Sequence, residues 1–83
     1  MCTYATEHVV VRGSGKAAGE WAPLSRVSVY VDHPAATLLE HTLNIDLFAD
    51  SEGRSRQIAL ELSLESAEAL LGAITRAVDG ARL

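Results

Sequence analysis

The side chains best able to ligate a metal or act as a nucleophile are Cys2, His8, His33 and His41, and all four lie in the first half of the chain. His33 and His41 are separated by seven residues, with Asp32 directly before the first. If the intervening segment is a corner, the two imidazoles converge at its base with Asp32 as a third donor. Two imidazoles and a carboxylate suit zinc, iron or copper. Asp32, His33 and His41 are the candidate ligand set, and a transition metal such as zinc is the cofactor such a set would take, the sequence leaving the cofactor itself unknown. The spacing is not a recognised metal motif, and the plainer alternative is a surface His33 at a corner and a His41 capping a strand edge. Cys2 and His8 are six residues apart, so on one extended strand they share a face but stand about 20 Å apart. They cannot hold the same ion unless the chain bends. Cys2 as a nucleophile would need a thiolate and a neighbouring imidazole, from His8 or His41; a free cysteine more often acts as a small buried hydrophobe.

The elements that must position these groups follow from periodicity. Strand one is expected over residues 2–12, rich in Thr, Tyr and Val. Residues 13–20 hold three glycines in seven positions and read as a loop. They resemble a phosphate loop only superficially: no glycine stands five residues before Gly15, and Ala17 replaces the hydroxyl residue. Trp21 and Pro23 lead into strand two, residues 25–32, where Val27, Val29 and Val31 alternate with Ser28, Tyr30 and Asp32. His33-Pro34 ends it. In the 34–40 connection, Leu38 and Leu39 are expected to cover an edge of the core. Strand three covers residues 41–48, with Leu43, Ile45 and Leu47 on one face and Thr42, Asn44 and Asp46 on the other. A polar loop, 49–55, precedes strand four over 56–62, where Ile58, Leu60 and Leu62 oppose Gln57, Ala59 and Glu61. The period then becomes helical, with Leu64, Ala67, Leu70, Leu71, Ile74, Ala77 and Val78 on one stripe. Ser63 is the expected N-cap and Gly80 the expected stop of a helix over 64–79.

The expected fold is α+β: a four-stranded antiparallel meander with one C-terminal helix on one face, in the order β-β-β-β-α, as a single domain over residues 1–83. Leu70, Leu71 and Ile74 are expected to be buried on the sheet. The opposite face should carry Ser28, Tyr30, Asp32, Thr42, Asn44, Asp46, Gln57, Ala59 and Glu61. If Val9 and Val11 face the helix, Cys2, Tyr4, His8 and Val10 join that polar face. A face so mixed suits a dimer interface or a binding site, and Cys2, Tyr4, Tyr30, Asn44 and Asp46 are its candidate ligand-binding residues. Asp46 and Glu61 could also do paired-carboxylate acid–base work, although a solvated polar face is the commoner meaning of such a pair.

Composition narrows the partners. Eighty-three residues sit near the lower limit for a chain that buries its own core, so self-association, a homodimer above all, is expected. A net charge of −4, with seven scattered basic residues, argues against nucleic acid. No stretch is long enough to span a bilayer, so no membrane partner is expected. One cysteine permits no internal disulfide, which fits a reducing compartment. Residues 1–8 have neither a basic region nor an apolar run, so no secretion leader and a cytoplasmic location are expected.

The opening Met1-Cys2-Thr3-Tyr4, Gly13-Ser14-Gly15-Lys16 with Trp21, Asp32-His33-Pro34, and His41-Thr42-Leu43-Asn44-Ile45-Asp46 together resemble a family of small uncharacterised actinobacterial proteins. The resemblance spans most of the chain and implies no activity. Its motifs contain Cys2, Asp32, His33 and His41 but not His8. The expectation is therefore a small homo-oligomeric accessory or binding protein, with a metal or small-ligand site at the open sheet face and the 33–41 corner. A small enzyme of secondary metabolism using Cys2 or a His/Asp set, and a structural interaction module, are the alternatives.

Overall fold

The structure, a computed structural model, describes residues 5–34, 36–51 and 53–82. Four strands, β1 (Glu7–Ala17), β2 (Glu20–Asp32), β3 (Thr42–Ser51) and β4 (Arg54–Leu62), precede one helix, α1 (Leu64–Ala81). The strands form one antiparallel sheet in the order β1-β2-β3-β4. This is the β-β-β-β-α meander that the alternating periods predict. Ser63 caps α1 as expected, its hydroxyl accepting from the Ser66 amide at 3.1 Å.

The expected loops are mostly strand. The glycine-rich segment pairs with β2 up to Ala17↔Glu20, and only Ala18-Gly19 turns. Both turn residues have positive φ, 53° and 80°, as a two-residue type I′ hairpin requires. Glycine weakens a strand without forbidding its ladder, and at Gly15 the missing side chain makes room: an added Cβ would stand 3.1 Å from the Leu24 side chain. Pro23 lies inside β2, at a level beyond the last β2–β3 pair, Leu24↔Ala49. One side of the strand is unpaired there, which a proline tolerates. The 49–55 loop likewise narrows to the link between Ser51 and Arg54, with Gly53 at φ 74°. Gly80 does not end α1, which runs on to Ala81; Gly80 lacks the positive φ of a glycine cap.

Register places the faces. Tyr30, Asn44 and Glu61 stand opposite one another across β2, β3 and β4, as do Ser28, Asp46 and Ala59. His8 pairs with Ser28 and Val10 with Arg26, so they join that polar face. Val29, Ile45 and Leu60 form a parallel row on the other side, and Val9 pairs with Val27 there. Register shifts between Val10 and Gly13 and between Leu24 and Arg26 fall at the same level of the sheet, where such irregularities bend strands.

The packing of α1 overturns one expectation. Leu70, Leu71 and Ile74 are 40%, 65% and 54% exposed, and no residue of α1 is buried. The helix stands off the sheet, leaving an open apolar groove of about 400 Å³ between Leu70, Leu71, Ile74 and the sheet residues Val29, Leu43 and Ile45. Leu38 and Leu39 are exposed as well and cover no core. Among the described residues only Ala22 and Ala49 are buried hydrophobics. An ion pair between Glu20 of β2 and Arg56 of β4, at 2.8 Å, links the two strands that flank β3. The sheet hydrogen-bond ladders therefore hold most of the chain together, and side-chain burial contributes little. Among the described residues, no helix is long and apolar enough to cross a membrane.

Candidate ligand-binding cleft on the polar sheet face

Among the described residues, the best-buried polar groups sit on the face turned away from α1. Thr42 is fully buried, and Ser28 and Asn44 are buried beside it. Burial of polar atoms demands partners, and the strands supply them at alternate positions. The Thr42 hydroxyl donates to Asn44 Oδ1 at 2.6 Å. The Asn44 side chain bonds in turn to the Tyr30 hydroxyl, which donates to Asp46 Oδ2 at 3.0 Å. Thr42, Asn44, Tyr30 and Asp46 thus form one directed chain across β2 and β3. His8 Nδ1 and Ser28 Oγ, 2.9 Å apart, extend the network toward β1.

This chain sets the acidity of Tyr30. The Asn44 hydrogen bond pulls its pKa down. The hydrogen bond to Asp46, partial desolvation, and the charges of Asp46 and Asp32 outweigh that pull, so the phenol lies above its ordinary 10.0. At neutral pH Tyr30 is a protonated donor held by a carboxylate.

The 33–41 corner forms the wall of the site. The His33 backbone amide donates to Asp32 Oδ1 at 2.7 Å, closing the corner after β2. His33 Nδ1–H donates to the Glu40 carbonyl at 3.1 Å. The Ala36 amide donates to Glu61 Oε1 at 3.0 Å and ties the corner to β4. Together the corner and the polar face enclose a cleft of about 650 Å³. Tyr30, Asn44, Asp46, Gln57 and Glu61 make its floor; Asp32, His33, Ala36 and Thr37 make its wall. Three carboxylates line it, and no Lys or Arg is among the lining residues. Arg26 lies off to one side, stacked over Phe48 with 3.9 Å between guanidinium and ring centre.

The structure brings some of the expected residues together and leaves others apart. Tyr30, Asn44 and Asp46 share the cleft, as the alternation predicts. His33 and His41 do converge across the corner, with ring centres 4.8 Å apart and an interplanar angle of 31°. Yet among the described residues no group of three or more His, Cys, Asp or Glu side chains is placed to hold a metal ion. His33 and His41 stand as a pair of rings, and the Asp32 carboxylate accepts from the His33 backbone amide. Asp46 and Glu61 share the face, but each accepts from a different partner, Tyr30 and the Ala36 amide. Cys2 and Tyr4, and any nucleophilic role for Cys2, fall outside the described residues. The sequence does not single out Ala36 or Thr37, since Thr37 is the one polar residue between Pro34 and Leu38.

Fold and cleft together define a small α+β protein with an open sheet, carrying an acidic polar cleft on one face and an apolar groove on the other. The chain belongs to the Family of unknown function (DUF6295), whose model matches residues 1–82. No curated protein and no solved structure matches it.

Proposed function

We propose that the protein is a small binding protein whose polar cleft takes a compact, positively charged molecule of the amine class. The observation that carries this is the composition of the cleft. It is lined by Asp32, Asp46 and Glu61 with no Lys or Arg, and its volume of about 650 Å³ lies within the range of small-molecule sites. The prearranged Tyr30–Asp46 bond supports the reading, because a floor held in place loses little freedom on binding. An ammonium group over Asp46 and Glu61 would gain charge-assisted hydrogen bonds, whereas a carboxylate would meet like charge.

The test is a two-dimensional NMR titration of the labelled protein with putrescine, and with succinate as a probe of similar length and opposite charge. Putrescine should shift the amide signals of Tyr30, Asn44, Asp46 and Glu61, and succinate should not. The response should weaken in Asp46→Asn and in about 1 M salt, where charge acts over only about 3 Å. Equal shifts with both probes, or none with putrescine, would defeat the proposal.

A further inference from the structure

The folded chain exposes more surface than a free-standing protein of its mass. It leaves 6369 Å² accessible at 8.8 kDa, whereas folded monomers of that mass expose roughly 4,800 Å². Its radius of gyration is 14.3 Å, against about 11.8 Å for a compact domain of this length. The excess of roughly 1,600 Å² per chain, counted on two chains, falls in the range of obligate homodimer interfaces.

Much of the exposed apolar surface lies on the helix side. Leu64, Leu71 and Val78 recur every seven residues along α1, with Ala67 and Ile74 between them, which is the stripe of a helix that packs against another helix. Leu64, Leu71, Ile74 and Val78 are all exposed, and so are Val9 and Leu60 on the sheet face below. The dimensions show what is missing. A helix is about 10 Å across, while four strands at about 4.8 Å cover roughly 19 Å. One helix roofs about half of the apolar face, and two side by side would roof it all.

We infer that a second copy of this chain fills that space. The two chains associate about a two-fold axis with their apolar faces together, and the α1 of each copy lies beside its partner's along the Leu64–Leu71–Val78 stripe. The occupant is a second copy because the uncovered surface is nearly the whole apolar core. With only Ala22 and Ala49 buried among the described hydrophobics, the fold needs a partner whenever it forms, and the one partner always present at equal stoichiometry is the chain itself. The sequence suggested the polar face as the interface; much of the exposed apolar area lies on the opposite side. This inference is independent of the ligand proposal, which concerns the other face.

Light scattering at micromolar concentration should return twice the 8.8 kDa chain mass, and the thermal midpoint should rise with protein concentration. Leu71→Glu should give monomer or unfolded chain. Because loss of folding alone would produce the same result, Val10→Lys provides the contrast: Val10 is equally apolar and 88% exposed, but sits on the polar face, so the variant should stay dimeric. A wild type of single-chain mass with a concentration-independent midpoint would overturn the inference. So would a Leu71→Glu variant that remains a dimer, or a Val10→Lys variant that dissociates.

Discussion

Thr42→Val isolates one hydroxyl in the best-buried position among the described residues. Valine has almost the same shape as threonine and suits a strand equally well, so the change opens no cavity and forces no overlap. What it removes is the donor to Asn44 Oδ1, at 2.6 Å. Asn44 is only 7% exposed, so water cannot readily take the place of that donor. An orphaned buried acceptor costs about 1–3 kcal/mol. The fully buried Thr42, at 0% exposure, places the expected loss near the middle, about 2 kcal/mol. For a chain of this size that corresponds to a fall of about 8–16 °C in thermal midpoint. Calorimetry or circular dichroism at one fixed chain concentration measures it, since association makes the midpoint concentration-dependent. Asn44→Leu and the double variant complete a cycle. The double variant should be more stable than the sum of the single losses predicts, by about 1 kcal/mol, because both ends of one bond are then gone. A Thr42→Val protein within about 0.5 kcal/mol of wild type, or a strictly additive cycle, would refute the network as drawn.

Two further outcomes follow from local geometry. Ala18 holds φ 53°, a conformation that costs an ordinary residue about 1–2 kcal/mol; Ala18→Asn should raise stability by about 0.5–1 kcal/mol in denaturant unfolding, and Ala18→Val should lower it. Tyr30 lies above its ordinary 10.0, so folding favours the neutral phenol. That contribution is present below the unfolded pKa and is lost as pH rises through the folded one. Stability should therefore decline at alkaline pH from about 10 upward, less so in Tyr30→Phe, and near-ultraviolet tyrosinate absorbance should show Asp46→Asn lowering the late-titrating phenol.

The faces of β2, β3 and β4 were legible because a strand alternates with period two, and valine or leucine against serine, asparagine or aspartate leaves no ambiguity. The same alternation made Tyr30, Asn44 and Asp46 readable as neighbours before any register was known. Loop lengths were not legible. Glycine and polar residues signal a break by side-chain preference, while the ladder at Gly13–Ala17 is held by backbone pairing that glycine also makes. The helix stripe was read correctly as apolar and wrongly as buried. Periodicity says that Leu71 and Ile74 share a face with a use for hydrophobic contact; it does not say whether the contact is in the same chain. The convergence of Ala36 on Glu61 depends on a corner with no periodicity, so nothing in the sequence announced it.

Both faces are written on the same two central strands. Val29 adjoins Tyr30, and Leu43 and Ile45 flank Asn44, so a slip of one residue in the β2–β3 register would turn the acidic floor toward α1 and the apolar row toward the cleft. The Thr42–Asn44–Tyr30–Asp46 chain, buried at Thr42 and Asn44, opposes that slip from one side, because an unpaired Asn44 or Asp46 beneath the helix would be costly. The apolar row opposes it from the other only if something covers it, since an apolar row facing water specifies no register. In a single chain that second restraint is weak, because Leu71 and Ile74 touch so little. In a pair of chains it becomes strong, as each sheet gains a roof of two helices. Association on the apolar side would then hold Tyr30, Asn44 and Asp46 in register on the far side of the sheet, without the partner touching the cleft.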